Sequence, residues 1–163
     1  VIRDARAKDV PAILRIYNEA VAHTTATFDT EPRTLPQWRK WYREHGPRYP
    51  VLVVVRDKRV IGWGAMSRYS DRQAYERTAE ISLYLEPQAR GRGFGKALLE
   101  NVILAGRRAG LHAVLARITA GNEVSLKLHR DAGFDDVGVL REVGTKFGRL
   151  LDVHLLQLLY PGT

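Results

Sequence analysis

Thr78-Ala79-Glu80-Ile81-Ser82-Leu83-Tyr84-Leu85 is followed by Glu86-Pro87-Gln88-Ala89 and then by Arg90-Gly91-Arg92-Gly93-Phe94-Gly95-Lys96. The first eight residues read as a strand. Period two puts Glu80, Ser82 and Tyr84 on one face and Ile81, Leu83 and Leu85 on the other. Pro87 breaks the strand. After the glycines, Leu98, Leu99, Val102, Ile103 and Gly106 recur at helical spacing to about Ala109. A strand, a glycine loop and a helix in this order predict a parallel crossover, and with it an α/β fold.

The loop itself predicts an anion site. Amides at a glycine-rich helix start converge on an anion, and the helix dipole adds to the attraction. Glycine lets the backbone come close, while Arg90, Arg92 and Lys96 add charge. The spacing excludes two common nucleotide loops. Gly91, Gly93 and Gly95 give G-x-G-x-G, not the G-x-G-x-x-G of a dinucleotide fold. Gly91-x-x-x-Gly95-Lys96-Ala97 is one residue short of a Walker A loop and lacks its magnesium-binding hydroxyl. The alternative is a turn whose arginines are merely solvated.

Outward from this loop, the remaining elements fall into place. Val1–Ala5 reads as a strand, and a helix runs from Asp9 to Val21. Polar His23–Arg33 reads as a loop. Thr34 caps a second helix, which Gly46-Pro47 ends. Val51–Val55 and Val60–Arg68 form a hairpin around Arg56–Arg59, and Tyr69–Arg77 is a loop. His112–Ile118 is a strand, Gly121-Asn122 opens another helix, and Gly133 ends it. Phe134–Val143 and Phe147–Leu159 complete the chain as two strands. Trp38 and Trp41 share a helix face and read as core.

Composition narrows the class. The chain has 163 residues, 45% of them hydrophobic and 27% charged, which suits a single domain over 1–163 and excludes disorder. There is no cysteine, so a disulfide framework and a thiolate metal site are excluded. His23, His45, His112 and His154 show no metal-ligand spacing, so no metal is expected. No run reaches the ~18 apolar residues of a membrane helix, and no signal peptide opens the chain. A cytoplasmic protein with no membrane partner is expected. Twenty of the 26 basic residues are arginine and the net charge is +8, a surface that attracts phosphates. Charge alone also fits a basic RNA-binding module. No ribonucleoprotein signature and no basic block accompany it, so no nucleic-acid partner is expected.

Two motifs give a resemblance. Gln88-x-x-Gly91-x-Gly93, after a strand and before an amphipathic helix, resembles the pyrophosphate loop of the GNAT N-acetyltransferases. Asn122-Glu123-Val124-Ser125-Leu126-Lys127-Leu128-His129, closing on Ala132-Gly133-Phe134, resembles the second signature of that superfamily. Tyr17–Val21, Thr25–Asp29, Gln73-Ala74-Tyr75, Ala79-Glu80 and Arg141–Arg149 resemble one branch, the phosphinothricin and methionine sulfoximine acetyltransferases. The likeness covers nearly the whole chain. Thr145 and Leu150 depart from it, standing where aromatic residues are expected.

The resemblance implies a GNAT fold, a mixed central β-sheet flanked by helices. It implies acetyl transfer from acetyl-CoA to the α-amine of a small amino-acid-like acceptor, such as phosphinothricin or methionine sulfoximine or sulfone, in a homodimer. An N-acetyltransferase for a protein N-terminus, polyamine or aminoglycoside is the nearest alternative. Gly91, Arg92, Gly93, Phe94, Gly95 and Lys96 would hold the pyrophosphate. The backbone of Leu83, Tyr84 and Leu85 would pair with pantetheine by strand addition. Asn122 and Ser125 would hydrogen-bond the pantetheine or phosphate, though Asn122 also reads as a helix cap. Glu80 would be the base that takes the amine proton. Its place in an apolar strand suits that role, and an ion pair with an arginine is the other reading. His129 would protonate the departing thiolate or relay the amine proton. Phe28, Arg72, Gln73, Ala74 and Tyr75 would form the acceptor pocket, with Arg72 on a carboxylate or phosphinate.

Overall fold

A computed structural model describes residues 1–163. Strand β1 (Ile2–Asp4) leads through a 3-10 turn into helix α1 (Val10–His23), and a loop leads to α2 (Leu35–His45). The hairpin β2 (Val51–Arg56) and β3 (Arg59–Arg68) precedes β4 (Thr78–Leu85) and α3 (Phe94–Arg108). Then come β5 (Ala113–Thr119), α4 (Glu123–Asp131), β6 (Asp135–Lys146) and β7 (Arg149–Leu159). The strands form one seven-stranded sheet in the order β1-β2-β3-β4-β5-β7-β6. Only β4 and β5 pair in parallel, and α3 is the crossover that a parallel step requires. This is the mixed sheet flanked by helices that the sequence predicts.

Each face of the sheet buries its own core. On one face α3 sets Leu98, Leu99 and Val102 against Val54, Ile81 and Val114, and α4 adds Leu126. On the other, α1 sets Ile13, Ile16 and Tyr17 against Val53 and Trp63, and α2 adds Trp38. Trp38 stacks on Tyr17 at 4.5 Å and on Trp41 at 4.9 Å; Trp38 is core as expected, while Trp41 is half-buried against it. Thr34 caps α2, its side chain accepting from the Gln37 amide at 3.3 Å while Gln37 accepts from the Thr34 amide at 2.8 Å.

The feature that makes a site is the short pairing of β4 with β5. They pair only at Thr78–Ala113, Ala79–Val114 and Glu80–Leu115. Past Glu80 they part, so Ile81–Leu85 has an edge that β5 does not cover, while β3 pairs the other edge. Buried Glu86 anchors the end of β4 to α1 and β3, with Arg15 at 3.1 Å and Arg59 at 2.7 Å. Its own amide donates to Ile61 O at 3.0 Å.

Three of the boundaries that differ from the sequence reading have a physical reason or a consequence for the sheet. β6 does not end at Val143 but runs through Lys146, and the turn is Phe147-Gly148, with φ of 53° and 71°. Positive φ at both central residues matches the twist of a tight hairpin, so two residues suffice where a longer turn was expected. The same geometry at Asp57-Lys58, φ 52° and 62°, puts Arg56 and Arg59 inside their strands. In β5 the strand is shifted by one, from Ala113 to Thr119.

Candidate active site

The gap between β4 and β5 is a cleft of about 440 Å³. Glu80, Ser82 and Tyr84 of β4 line it, with Arg117 and Thr119 of β5 opposite. Asn122, Ser125 and His129 of α4 close one side, and Phe28, Leu140 and Val143 close another. The structure thus brings Glu80, His129, Asn122, Ser125 and Phe28 to one place, together with Leu83 and Tyr84.

Glu80 lies in an apolar setting, and burial pushes its carboxyl above the usual carboxylate range. Arg117 acts against that, its Nε 3.5 Å from Glu80 Oε1. Both sequence readings of Glu80 therefore have a physical counterpart: a desolvated carboxylate in a cleft, and one half of an ion pair. Arg117 is half exposed, and its side chain makes no other bond within the chain.

His129 is buried at the back of α4, its ring edge on Phe134. Nδ1 is 2.8 Å from the Ser125 carbonyl oxygen, so in the neutral ring Nδ1–H donates there and Nε2 is left as an acceptor. Burial lowers its pKa. A neutral ring with Nε2 unprotonated first accepts a proton and can then pass it on, so both roles implied for His129, relay from the amine and protonation of the thiolate, start from this tautomer. Asn122 caps α4, its Oδ1 accepting from the Ser125 amide at 3.2 Å, which leaves its amide NH₂ free.

Phe28 sits on a loop clamped from four elements. Thr119 of β5 donates to the Thr25 carbonyl at 2.7 Å. Lys146 of β6 donates to the Thr27 carbonyl at 2.8 Å. Tyr17 of α1 lies 2.8 Å from the Thr27 hydroxyl and also bonds Asp29, and Tyr84 of β4 reaches the Ala26 carbonyl at 3.4 Å. Beneath the ring lies Gly144, where a Cβ would collide with Phe28. A bulge in β6 between Leu140 and Gly144, with Glu142 at φ 55°, places Leu140 and Val143 in the cleft wall.

Arg72, Gln73, Ala74 and Tyr75 are not brought to the cleft. They form an exposed turn before β4, with Tyr75 packed on Tyr69 at 5.2 Å and Glu76 held by the Tyr49 hydroxyl at 3.1 Å. The sequence reading attached no role to Arg117, Thr119, Leu140, Val143 or Lys146. One signal was available for Arg117: it is the lone charge in Ala113–Thr119, as Glu80 is in its own strand.

At the glycine loop, Gly91 and Gly93 have φ of 74° and 85°, and nothing lies within 4 Å of where a Cβ would stand. Gly93 is the N-cap of α3, so the amides of the helix's first turn are free to face an anion. Arg90 is engaged by Glu19 at 3.3 Å and by the Leu85 carbonyl at 3.1 Å. Arg92 and Lys96 take part in no ion pair. The loop therefore offers an open, positively charged cradle at the end of the strand that carries Glu80. Cleft and cradle thus lie along one strand, β4, the cleft where it parts from β5 and the cradle just beyond its end.

The chain belongs to the acetyltransferase (GNAT) family, whose model matches residues 13–134. It is 38% identical over 159 residues to an L-methionine sulfoximine/L-methionine sulfone acetyltransferase of Pseudomonas paraeruginosa, covering 96% of this chain and 92% of that protein. It superposes at a TM-score of 0.95 and 35% identity on a phosphinothricin acetyltransferase from Sinorhizobium meliloti in complex with acetyl-CoA, covering all of this chain and 90% of that one. A ribosomal-protein-alanine N-acetyltransferase from Brucella melitensis superposes at 0.94 with 36% identity, covering 98% of this chain and 99% of that one.

Proposed function

We propose that this protein transfers the acetyl group of acetyl-CoA to the α-amine of a small amino acid of the methionine sulfoximine, methionine sulfone or phosphinothricin kind. The observation that carries the reading is the cleft, which joins a free strand edge to a desolvated carboxylate on the same strand that leads to the open loop of Gly91–Lys96. The amides of Gly91, Arg92, Gly93, Phe94, Gly95 and Lys96 would hold the donor's pyrophosphate. The edge of β4 at Leu83, Tyr84 and Leu85 would pair with its amide-bearing arm. Asn122 and Ser125 would hydrogen-bond that arm from α4.

Glu80 receives the acceptor's ammonium and takes one proton from it, which frees the nitrogen lone pair to attack the acetyl carbonyl carbon. The carbon–nitrogen bond forms, the carbon–sulfur bond breaks, and the electron pair leaves on sulfur. His129 Nε2 takes the nitrogen's second proton and passes it to the departing sulfur, which leaves as the thiol. Phe28, Leu140 and Val143 give the acceptor's side chain an apolar wall. The acceptor roles expected of Arg72, Gln73, Ala74 and Tyr75 are not part of this proposal, because their own chain leaves them outside the cleft.

A homodimer is part of the reading. β6 is an edge strand whose Val137, Val139, Leu140 and Val143 are exposed, with Phe147 and Leu150 beyond them. A second copy laid on this apolar face would cover it. No helix is long and apolar enough to cross a membrane, and a donor held inside the cell would place the enzyme in the cytoplasm.

An acceptor screen with acetyl-CoA and a thiol-detecting reagent tests the function. Amino-acid analogues should release CoA; release with polyamines or N-terminal peptides alone would overturn the acceptor assignment.

A further inference from the structure

Among the side chains that line the cleft, Arg117 is the one with a permanent positive charge, and it faces the one carboxylate. The pair sits where β4 and β5 separate, at the last paired residue of β4 and two residues beyond its β5 partner Leu115. Leu115 and Arg117 are two apart in a strand, so their side chains leave the same face of the sheet as Glu80. That face also receives Phe28. Arg117 is 52% exposed and makes no hydrogen bond to any backbone or side-chain acceptor; its sole partner is Glu80 at 3.5 Å. Its planar fork of donors is thus largely free, beside the carboxylate that the reacting amine would approach.

We propose that Arg117 binds the α-carboxylate of the acceptor, so that the site selects a free α-amino acid over a peptide N-terminus. This rests on the acetyltransferase reading of the cleft. In an α-amino acid the nitrogen and the carboxyl carbon are two bonds apart. A nitrogen placed at Glu80 therefore puts the carboxylate beside the nearest group to Glu80, which is Arg117. The incoming zwitterion replaces one loose contact with two charge pairs, ammonium on Glu80 and carboxylate on Arg117 in bidentate geometry. A peptide N-terminus, an amino-acid amide or a simple amine offers nothing to Arg117 and must still part it from Glu80. An anionic group at the far end of the acceptor's side chain is too distant from the amine to take this place, and faces Phe28, Leu140 and Val143 instead.

The test compares L-methionine sulfone with its α-carboxamide, which keeps shape and removes charge. kcat/KM is measured for both with the wild type, Arg117→Gln and Arg117→Lys. The two amines differ in basicity, but that difference cancels when the acid-to-amide ratio of a variant is divided by the wild-type ratio. The ratio should fall tenfold or more in Arg117→Gln and recover in part in Arg117→Lys, which restores charge without the fork. Acetyl-CoA affinity by calorimetry verifies that each variant is folded. Equal losses for acid and amide, with the acidic limb of the pH profile moving alike for both, would show that Arg117 only positions Glu80 and would overturn the proposal. An unchanged ratio with no loss would do the same. If the wild type binds acetyl-CoA but acetylates neither compound, the acceptor reading itself fails. If it acetylates both and only the ratio test fails, that reading stands without Arg117.

Discussion

Glu80 and Arg117 meet across the point where β4 and β5 part, the carboxylate oxygen Oε1 3.5 Å from the guanidinium Nε. Burial and this one cation pull the carboxyl in opposite directions. A carboxyl raised by burial and held in a cleft beside one cation is suited to take a proton.

Gly93→Val should weaken the donor site selectively. At φ 85° any side chain is strained, and a β-branched one most of all. The left-handed conformation costs about 1–2 kcal/mol for an L-residue, which corresponds to roughly tenfold in acetyl-CoA affinity if the loop shifts to relieve it. Titration calorimetry on the folded variant checks this, and unchanged affinity would remove the loop from the donor site.

Lys146→Met should raise the acceptor KM with little change in acetyl-CoA affinity. The variant keeps the length of the side chain but removes the bond to the Thr27 carbonyl, which carries the Phe28 loop. Loss of a charged hydrogen bond at a buried carbonyl is worth about 1.5–3 kcal/mol, or roughly 10- to 100-fold. Gly144→Ala should act in the same direction, because the new methyl group displaces the Phe28 ring. Steady-state kinetics with each substrate varied separately check both. Equal effects on the two KM values would mean that the clamp supports the fold and not the acceptor site.

His45 and His129 should make the protein less stable as pH falls below about 6.5. Burial lowers the pKa of both in the folded chain. The unfolded chain then binds more protons than the folded one, so stability rises with pH through this window and is lost on acidification. Each histidine contributes at most about 1.4 kcal/mol per pH unit below 6.5. Between pH 7.5 and 5.5 the fall in Tm should be smaller in His45→Gln than in the wild type. An identical fall would show that His45 is protonated in the folded chain without cost.

Much of this was legible in the sequence, for reasons that differ by residue. The β4–loop–α3 unit was readable because period two, the Gly91/Gly93 spacing and the helical repeat each report on short stretches of chain. Glu80 stood out as a charge in an apolar strand. Arg117 carried the same mark, but its meaning depends on the splay of β4 from β5, a long-range feature that no local pattern encodes. The Phe28 clamp is likewise non-local: Thr25 and Thr119, or Thr27 and Lys146, are far apart in the chain. Gly144 fell in the gap left between the expected strands Phe134–Val143 and Phe147–Leu159. The real turn, Phe147-Gly148, is set by hairpin twist, and Gly144 is there to make room for a ring. Family likeness drew Arg72–Tyr75 toward the pocket, whereas packing of Tyr75 on Tyr69 and the bond from Tyr49 keep that turn elsewhere.

The central claim is that Glu80 takes the proton of the amine, and kcat/KM against pH for the wild type and Glu80→Gln tests it most directly. Glutamine keeps the shape and removes the basic oxygen. At neutral pH the variant should lose about 10²–10⁴-fold, the usual range for a positioned acid–base group. Its acetyl-CoA affinity should hold. The acidic limb, which the wild type owes to a carboxyl raised above its usual range, should vanish, and higher pH should recover part of the activity as free amine becomes available. A folded variant that binds acetyl-CoA, turns over within a few-fold of the wild type at neutral pH and keeps the same acidic limb would contradict the account.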